Sequence, residues 1–511
     1  MLKRAERDDR GETPGEMKSG PVTVRGAVRC RAPGQAMRCL LGLAAATLAS
    51  AAERPNFLVV LIDDLGWADF SCFGNTEAAT PNIDRLAREG RRFERFYVAA
   101  PICSPSRVGL STGQYPHRWR ITSYLNNRAE NAARGMADWL DPRAPMLARA
   151  LKDSGYATGH FGKWHMGGQR DVGEAPLITA YGFDESLTNF EGLGPRVLPL
   201  LDARDGKPPR KHALGSDNLG RGDIIWKDRA EVTPAFVAAA IDFIRRSAAA
   251  GRPFYVNLWP DDVHSPFFPV AGRRGDGTKR MLYHAVLETM DAQLGPVFDE
   301  IRANPKLRGN TLVLVCSDNG PEAGAGSAGG LRGSKAMLYE GGIRSPLVVW
   351  GPGLIAGGRV GAAERDSVIA AIDVAPSLLA IAGVKPPAGG GLDGVARHEV
   401  LLGNAVRARE RPLYFRRPPD RGSFSGVANL PDLAVVDGNW KLLCEYDGSA
   451  VELYDLAADP AESINLAGTH PAVAARLSTL VRDWHRAMPP DLGATYRTPA
   501  SMPPAKKRRV P

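Results

Sequence analysis

Two short apolar runs, Phe57 to Ile62 and Thr311 to Cys316, constrain the fold of this 511-residue chain more than any other feature. Both are continuous and rich in β-branched residues rather than alternating, the pattern of a strand covered on both faces in a parallel sheet. The first stops at Asp63-Asp64 and the second at Ser317-Asp318-Asn319-Gly320, so two strands deliver acidic groups at their ends. Ala157 to Phe161, Pro253 to Trp259 and Pro346 to Trp350 are further candidate strands, separated by segments of helical period. This alternation predicts an α/β fold with a large, mostly parallel central sheet flanked by helices.

Thr80 and Pro81 supply an N-cap and first helical position ahead of the stripe Ile83, Leu86, Ala87, which stops at Gly90. Met281 to Ile301 reads as a longer helix. Beyond the Gly- and Pro-rich stretch 383–394, Asp432 to Glu445 and Val451 to Asp455 read as short strands, and Ala472 to Arg486 as a helix. A smaller C-terminal antiparallel sheet with one helix is expected there.

The formal charge of +9 and pI near 9.3 would suit a nucleic-acid partner only if the charge were spread over the fold. It is concentrated at the ends. Residues 1–51 hold nine Lys/Arg against five Asp/Glu, and Lys506, Lys507, Arg508 and Arg509 form a basic tail that reads as solvated. No nucleic-acid partner is therefore expected. From Met37, a charged Arg38, an apolar run from Leu40 to Leu48 and Ala49-Ser50-Ala51 have the pattern of a signal peptide, which predicts export to the periplasm or cell exterior. The run is far shorter than the ~20 residues of a bilayer span, so no stable membrane span is expected. Cleavage after Ala51 would remove Cys30 and Cys39. The remaining Cys72, Cys103, Cys316 and Cys444 form no CxxC pair, which argues against a zinc knuckle or a disulfide scaffold.

Carboxylates at strand ends lie on the sheet edge where open α/β folds keep their ligand crevices. Asp63, Asp64, Asp318 and Asn319 together offer three carboxylates and an amide oxygen, a hard-oxygen set suited to Ca²⁺ or Mg²⁺ and poorly suited to zinc. Cys103-Ser104-Pro105-Ser106-Arg107 stands at the start of a short helix, whose N-terminus favours an anion.

Cys-x-Pro-Ser-Arg followed closely by Leu110-Ser111-Thr112-Gly113 resembles the modification motif of the type I, formylglycine-dependent sulfatases of the alkaline phosphatase superfamily. Other blocks resemble the same family in order: Pro55-Asn56-Phe57 through Trp67, Thr80-Pro81-Asn82-Ile83-Asp84, Gly162-Lys163-Trp164-His165, His264-Ser265-Pro266, Ser317 to Gly320, Leu331 to Lys335, Glu340 to Arg344 and Glu452 to Glu462. The resemblance covers roughly residues 54 to 490. It implies a sulfuric ester hydrolase in which a separate maturation enzyme oxidises Cys103 to formylglycine, whose hydrate attacks sulfur. One calcium ion would be held by Asp63, Asp64, Asp318, Asn319 and the modified Cys103. Arg107 would hold the formylglycine hydroxyls, and Lys163 and Lys335 would contact sulfate oxygens. His264 is expected to protonate the leaving alcohol and His165 to act as the base that releases sulfate.

The expected organisation is a leader over 1–51, a catalytic α/β domain over 52–400, a small α+β subdomain over 401–490 and a basic tail over 491–511. A phosphonate or phosphate ester hydrolase of the same superfamily remains open, as does a non-catalytic glycan-binding relative if Cys103 stays unmodified. The expected substrate is a sulfated carbohydrate or small molecule. Its selectivity would lie in loops such as 166–230, where Arg170, Arg210, Lys211, His212 and Trp226 would suit an anionic sugar.

Overall fold

Residues 56–62 form the middle of the structure, and their side chains show why the apolar run is unbroken. In the Asn56–Ile62 strand, Phe57, Val59 and Leu61 face one hydrophobic core while Leu58, Val60 and Ile62 face another, all essentially inaccessible to solvent. Burying a side chain of this size contributes roughly 1.5–3 kcal/mol, which makes a polar residue on either face costly. The computed structural model describes residues 54–201, 208–270, 272–275, 277–387, 391–420 and 430–492. The expected signal peptide, Cys30, Cys39 and the basic run Lys506 to Arg509 lie outside the described residues.

The large sheet has nine strands, in the order Ala363–Glu364, Arg91–Tyr97, Arg344–Trp350, Thr311–Ser317, Asn56–Ile62, Phe254–Trp259, Ala157–Gly162 and Glu185–Leu187, with Ile369–Ala370 also on Arg91–Tyr97. Asn56–Ile62 pairs in parallel with both Thr311–Ser317 and Phe254–Trp259, which sets Ile62 opposite Ser317. The two acidic strand ends therefore emerge side by side. One expectation is corrected: the strand read as Pro346 to Trp350 starts at Arg344 and runs antiparallel to both of its neighbours. No crossover helix carries the chain back across the sheet after Ser317, so the segment re-enters from the edge it has just left.

Helices Pro81–Glu89, Val232–Ala249 and Lys279–Ala303 cover one face. Cys103–Thr112, Leu147–Asp153 and Ala371–Ile381 cover the other. Pro81–Glu89 ends at Gly90 as expected, but the Thr80 side chain does not cap it. Its hydroxyl instead accepts from Ser71 N at 3.0 Å and donates to Asp84 at 3.2 Å. A four-stranded antiparallel sheet, Leu413–Arg416, Leu433–Asp437, Trp440–Cys444 and Glu452–Asp455, packs with helix Pro471–Ala487 into the core that Phe57, Val59 and Leu61 face. Lys441 of this sheet is fully buried and reaches Glu340 (3.1 Å) and Glu462 (2.8 Å), tying it to the turn that precedes Arg344. No helix among the described residues is long and apolar enough to cross a membrane.

Candidate active site

The strand ends are stitched together by their own polar groups. Asp64 leaves the sheet in the left-handed region (φ 58°), and its amide donates to Asp318 Oδ1 at 3.1 Å while Leu65 N donates to Ser317 Oγ at 3.0 Å. A non-glycine residue in that region is strained and is kept there by its surroundings, a feature that clusters at functional sites. Asn319 Nδ2 donates to Asp64 Oδ1 (2.8 Å) and to the Gly320 carbonyl (2.9 Å). Gly320 is obligatory, because a Cβ there would lie 2.0 Å from the Gly341 carbonyl oxygen.

Cys103 is the first residue of helix Cys103–Thr112, every residue of which is buried, and no side chain caps the helix. Its Sγ lies 3.9 Å from Asp64 Oδ1. From the next turn, Arg107 donates to Asp318 Oδ2 (2.6 Å) and to the Lys163 carbonyl (2.9 Å), lies 3.1 Å from Asp63 Oδ1 and packs over the Trp259 ring. Lys163 reaches Asp63 Oδ2 at 2.6 Å and Glu191 at 3.0 Å; Lys335 reaches Asp64 Oδ2 at 2.6 Å. His264 Nε2 is 3.7 Å from the same Asp64 oxygen, and its Nδ1 is 2.8 Å from the Ser265 carbonyl. His165, also left-handed at φ 53°, places Nδ1 3.0 Å from Glu191 Oε2 and Nε2 3.2 Å from the Leu125 carbonyl. All ten residues named for the site from sequence thus fall in one cluster.

The donor set fits a hard divalent cation. Single oxygens of Asp63, Asp64 and Asp318 and the Cys103 sulfur lie within 4.8 Å of one another. Ligand atoms on a common calcium, each at ~2.3–2.6 Å, are no farther apart than about 5 Å. Asn319 Oδ1 is buried and accepts no hydrogen bond, an oxygen left over for such an ion. Electrostatics point the same way. Burial opposes ionisation of Asp63, but Lys163, His264, Arg107 and Lys335 together hold its carboxyl well below the usual range. Burial and the neighbouring Asp63 push Asp318 well above it. Four carboxylates, Asp63, Asp64, Asp318 and Glu191, share three permanent cations, Arg107, Lys163 and Lys335, a balance that a bound cation would complete.

Burial, then Asp63, raises the Cys103 thiol well above its ordinary value, the opposite of what an activated thiolate requires. His165 is drawn down to about 4 by burial, against the pull of Glu191. Burial works against ionisation of Glu191, yet His165 and Lys163 hold it ionised.

Above this floor opens a cavity of about 310 Å³, lined by Cys103, His165, His264 and Lys335 and walled by Tyr124, Arg170, Phe190, Glu191, His212, Arg229 and Asp261. Arg170 and His212, of the five residues expected to meet substrate, line it. Arg210 and Lys211 are exposed on a small strand, and Lys211 stacks on Trp226 at 4.6 Å, so these three do not. Glu191, Arg229 and Asp261 escaped the sequence reading. Glu191 is a lone charge in a loop and Arg229 one of several in a charged turn, whereas the pair Asp261-Asp262, just past the end of strand Phe254–Trp259, was a signal of the same kind as Asp63-Asp64.

The family model "Sulfatase" matches residues 55–384, and "N-sulphoglucosamine sulphohydrolase, C-terminal" matches residues 333–485. The N-acetylgalactosamine-6-sulfatase of Canis lupus familiaris is 34% identical over 398 residues, covering 74% of this chain and 72% of that protein. The N-acetylgalactosamine-6-O-sulfatase of Bacteroides thetaiotaomicron is 28% identical over 506 residues, covering 84% and 93%. The crystal structure of Ps i-CgsB in complex with k-i-k-neocarrahexaose shares the fold, with a TM-score of 0.68 at 23% identity over 84% of this chain and 92% of that one. The chain belongs to the sulfatase family. It is an enzyme with sulfatase activity, a hydrolase of sulfate esters.

Proposed function

We propose that this chain is an exported sulfatase that removes sulfate from a sulfated carbohydrate, using one calcium ion and a formylglycine made from Cys103 by a separate maturation enzyme. The observation that carries this reading is the placement of Cys103, which opens an uncapped helix within reach of three strand-end carboxylates and two lysines. Relatives named for N-acetylgalactosamine-6-sulfate support a glycan substrate. Residues 52–400 would form the catalytic domain and 401–490 the α+β subdomain that buttresses it through Lys441.

Asp63, Asp64, Asp318 and Asn319 would hold the calcium together with the modified Cys103. When bound, the ion and the formylglycine would supply charge neutralisation and an oxygen nucleophile. Arg107, locked between Asp63 and Asp318, orients residue 103. Lys163 and Lys335 bind two sulfate oxygens as fixed charges, their own carboxylate partners keeping them protonated. His264 gives a proton to the departing alcohol oxygen, with the Ser265 carbonyl fixing its Nδ1–H. His165 accepts the proton whose removal releases sulfate, and its protonated ring is favoured by Glu191, 3.0 Å from Nδ1, and by the Leu125 carbonyl, 3.2 Å from Nε2.

Intact-mass measurement on active protein should show the loss that accompanies exchange of a thiol for an aldehyde at residue 103. Cys103→Ala should abolish turnover of nitrophenyl sulfate, and Cys103→Ser should allow at most one slow transfer. Wild-type rates in either variant, or faster hydrolysis of nitrophenyl phosphate than of the sulfate by the wild type, would contradict the assignment.

A further inference from the structure

Arg170 is a charge that the site's internal pairing leaves over. Each other charged group of the cavity has an opposite partner: Lys335 has Asp64, Arg229 lies 3.2 Å from Asp261, and Glu191 takes both Lys163 and His165. Asp261 also accepts from Asn189 at 2.8 Å. Arg170 lines the same cavity, is only half-buried, and makes no hydrogen bond or ion pair with any described residue. His212 beside it supplies no second cation, since burial, with Arg229 and Arg170 adding to it, depresses its basicity.

The backbone holds Arg170 in place at a cost. Between Gly162 and Arg170 the chain is left-handed at Gly162, His165, Gly167, Gly168 and Arg170, two of them not glycine. The stretch is clamped from outside. A Cβ on Gly167 would strike Trp139, one on Gly168 would strike Leu193, and one on Gly215 would come within 2.8 Å of the Arg170 carbonyl oxygen. Val172 N closes the turn on the Gln169 carbonyl at 2.9 Å. The same strained ribbon that presents Lys163 and His165 to the reacting sulfate therefore presents Arg170 to the wall. A strained, clamped residue with a free guanidinium is the arrangement expected where the missing partner is a ligand.

We infer that the sulfated saccharide carries a second anionic group, a carboxylate or a further sulfate, and that Arg170 receives it. This inference rests on the glycan sulfatase reading and sharpens it. A guanidinium fork offers two parallel N–H donors, which match the oxygens of either group. The step is binding alone, and the scissile sulfate remains with Lys163 and Lys335.

Calorimetry on calcium-loaded Cys103→Ala protein reads the contact without turnover. Two ligand pairs separate the sources: a sulfated disaccharide with a uronic acid against its carboxyl-reduced counterpart, and a disulfated against a monosulfated monosaccharide. In at least one pair the more anionic ligand should bind about ten- to a hundredfold tighter, the range of a charge-assisted hydrogen bond. The preferred pair identifies the group. Adding Arg170→Gln should bring that ratio close to one, and Arg170→Lys should keep part of it. Equal affinities within both pairs, or a ratio that survives Arg170→Gln, would overturn the inference. Turnover of nitrophenyl sulfate by the wild type tests the sulfatase reading separately.

Discussion

Asp63, Asp64, Asp318 and Asn319 sit at the ends of two adjacent strands and are hydrogen-bonded or ion-paired to one another or to the same Arg107. Arg170, His212 and Arg229 reach the same cavity from three separate loops and turns, and no hydrogen bond joins any of the three to another. The floor is thus one network, in which the ionisation of Asp63 depends on Lys163, Arg107 and Lys335, and that of Asp318 on Asp63 and Arg107. The wall is looser: Arg229 is paired with Asp261, but Arg170 is tied to no described side chain by a hydrogen bond or ion pair. Chemistry common to every sulfate ester belongs on the first, where positions cannot drift, and discrimination between saccharides belongs on the second, where one residue can change alone.

The largest test of this contrast removes a floor member. Asp318→Asn keeps the shape but takes away a carboxylate shared by Arg107 and the proposed ion. Turnover should fall to background, as it should in wild type treated with a chelator, and calcium should restore the wild type alone. Calcium should also raise the wild-type unfolding midpoint in a concentration-dependent way, by about 2.7 kcal/mol of stability at a hundred times its Kd. That stabilisation should vanish in Asp318→Asn. Full activity in metal-free protein would dissolve the idea of a floor built around an ion.

A smaller effect is expected at His264, which stands between the two regions, close to Asp64 yet over one-third exposed. General acid catalysis contributes ~10²–10⁴-fold. His264→Ala should lose about that much on a sugar sulfate, whose alkoxide leaves poorly, and markedly less on nitrophenyl sulfate. Equal losses on both would reassign His264 to sulfate binding.

The contrast also explains what could be read from sequence. A floor strand must be apolar on both faces, so Phe57 to Ile62 announces itself and the structure extends it by only Asn56. The helix read at Met281 to Ile301 lies within Lys279–Ala303, and that at Ala472 to Arg486 within Pro471–Ala487. The antiparallel return of Arg344–Trp350 was hidden, because burial on both faces fixes composition and says nothing of direction. Glu191 and Arg229 were hidden for the opposite reason: their role comes from where loops meet, and a charge in a polar loop leaves no period to detect, while Asp261-Asp262 after strand Phe254–Trp259 did carry the strand-end acidic signal.

Glu191 tests the boundary most finely, since it lines the wall cavity yet holds two floor groups through one oxygen. In Glu191→Gln, Lys163 keeps Asp63 as its counter-charge, so sulfate binding and KM should change little. His165 loses the negative charge that favours its protonated form. Its pKa, already down to about 4 because of burial, should fall further rather than rise. The sign follows directly: the base works when neutral, so activity is lost as pH falls through its pKa, and the acid limb of the kcat profile should move to lower pH in the variant. At neutral pH the imidazolium formed on accepting a proton is less stabilised. A weakening equivalent to about one pKa unit is 1.36 kcal/mol, or roughly tenfold in kcat. A wall residue would instead raise KM and leave the pH profile in place. An acid limb that moves upward, or a change confined to KM, would therefore take Glu191 out of the proton-transfer machinery and return it to the wall.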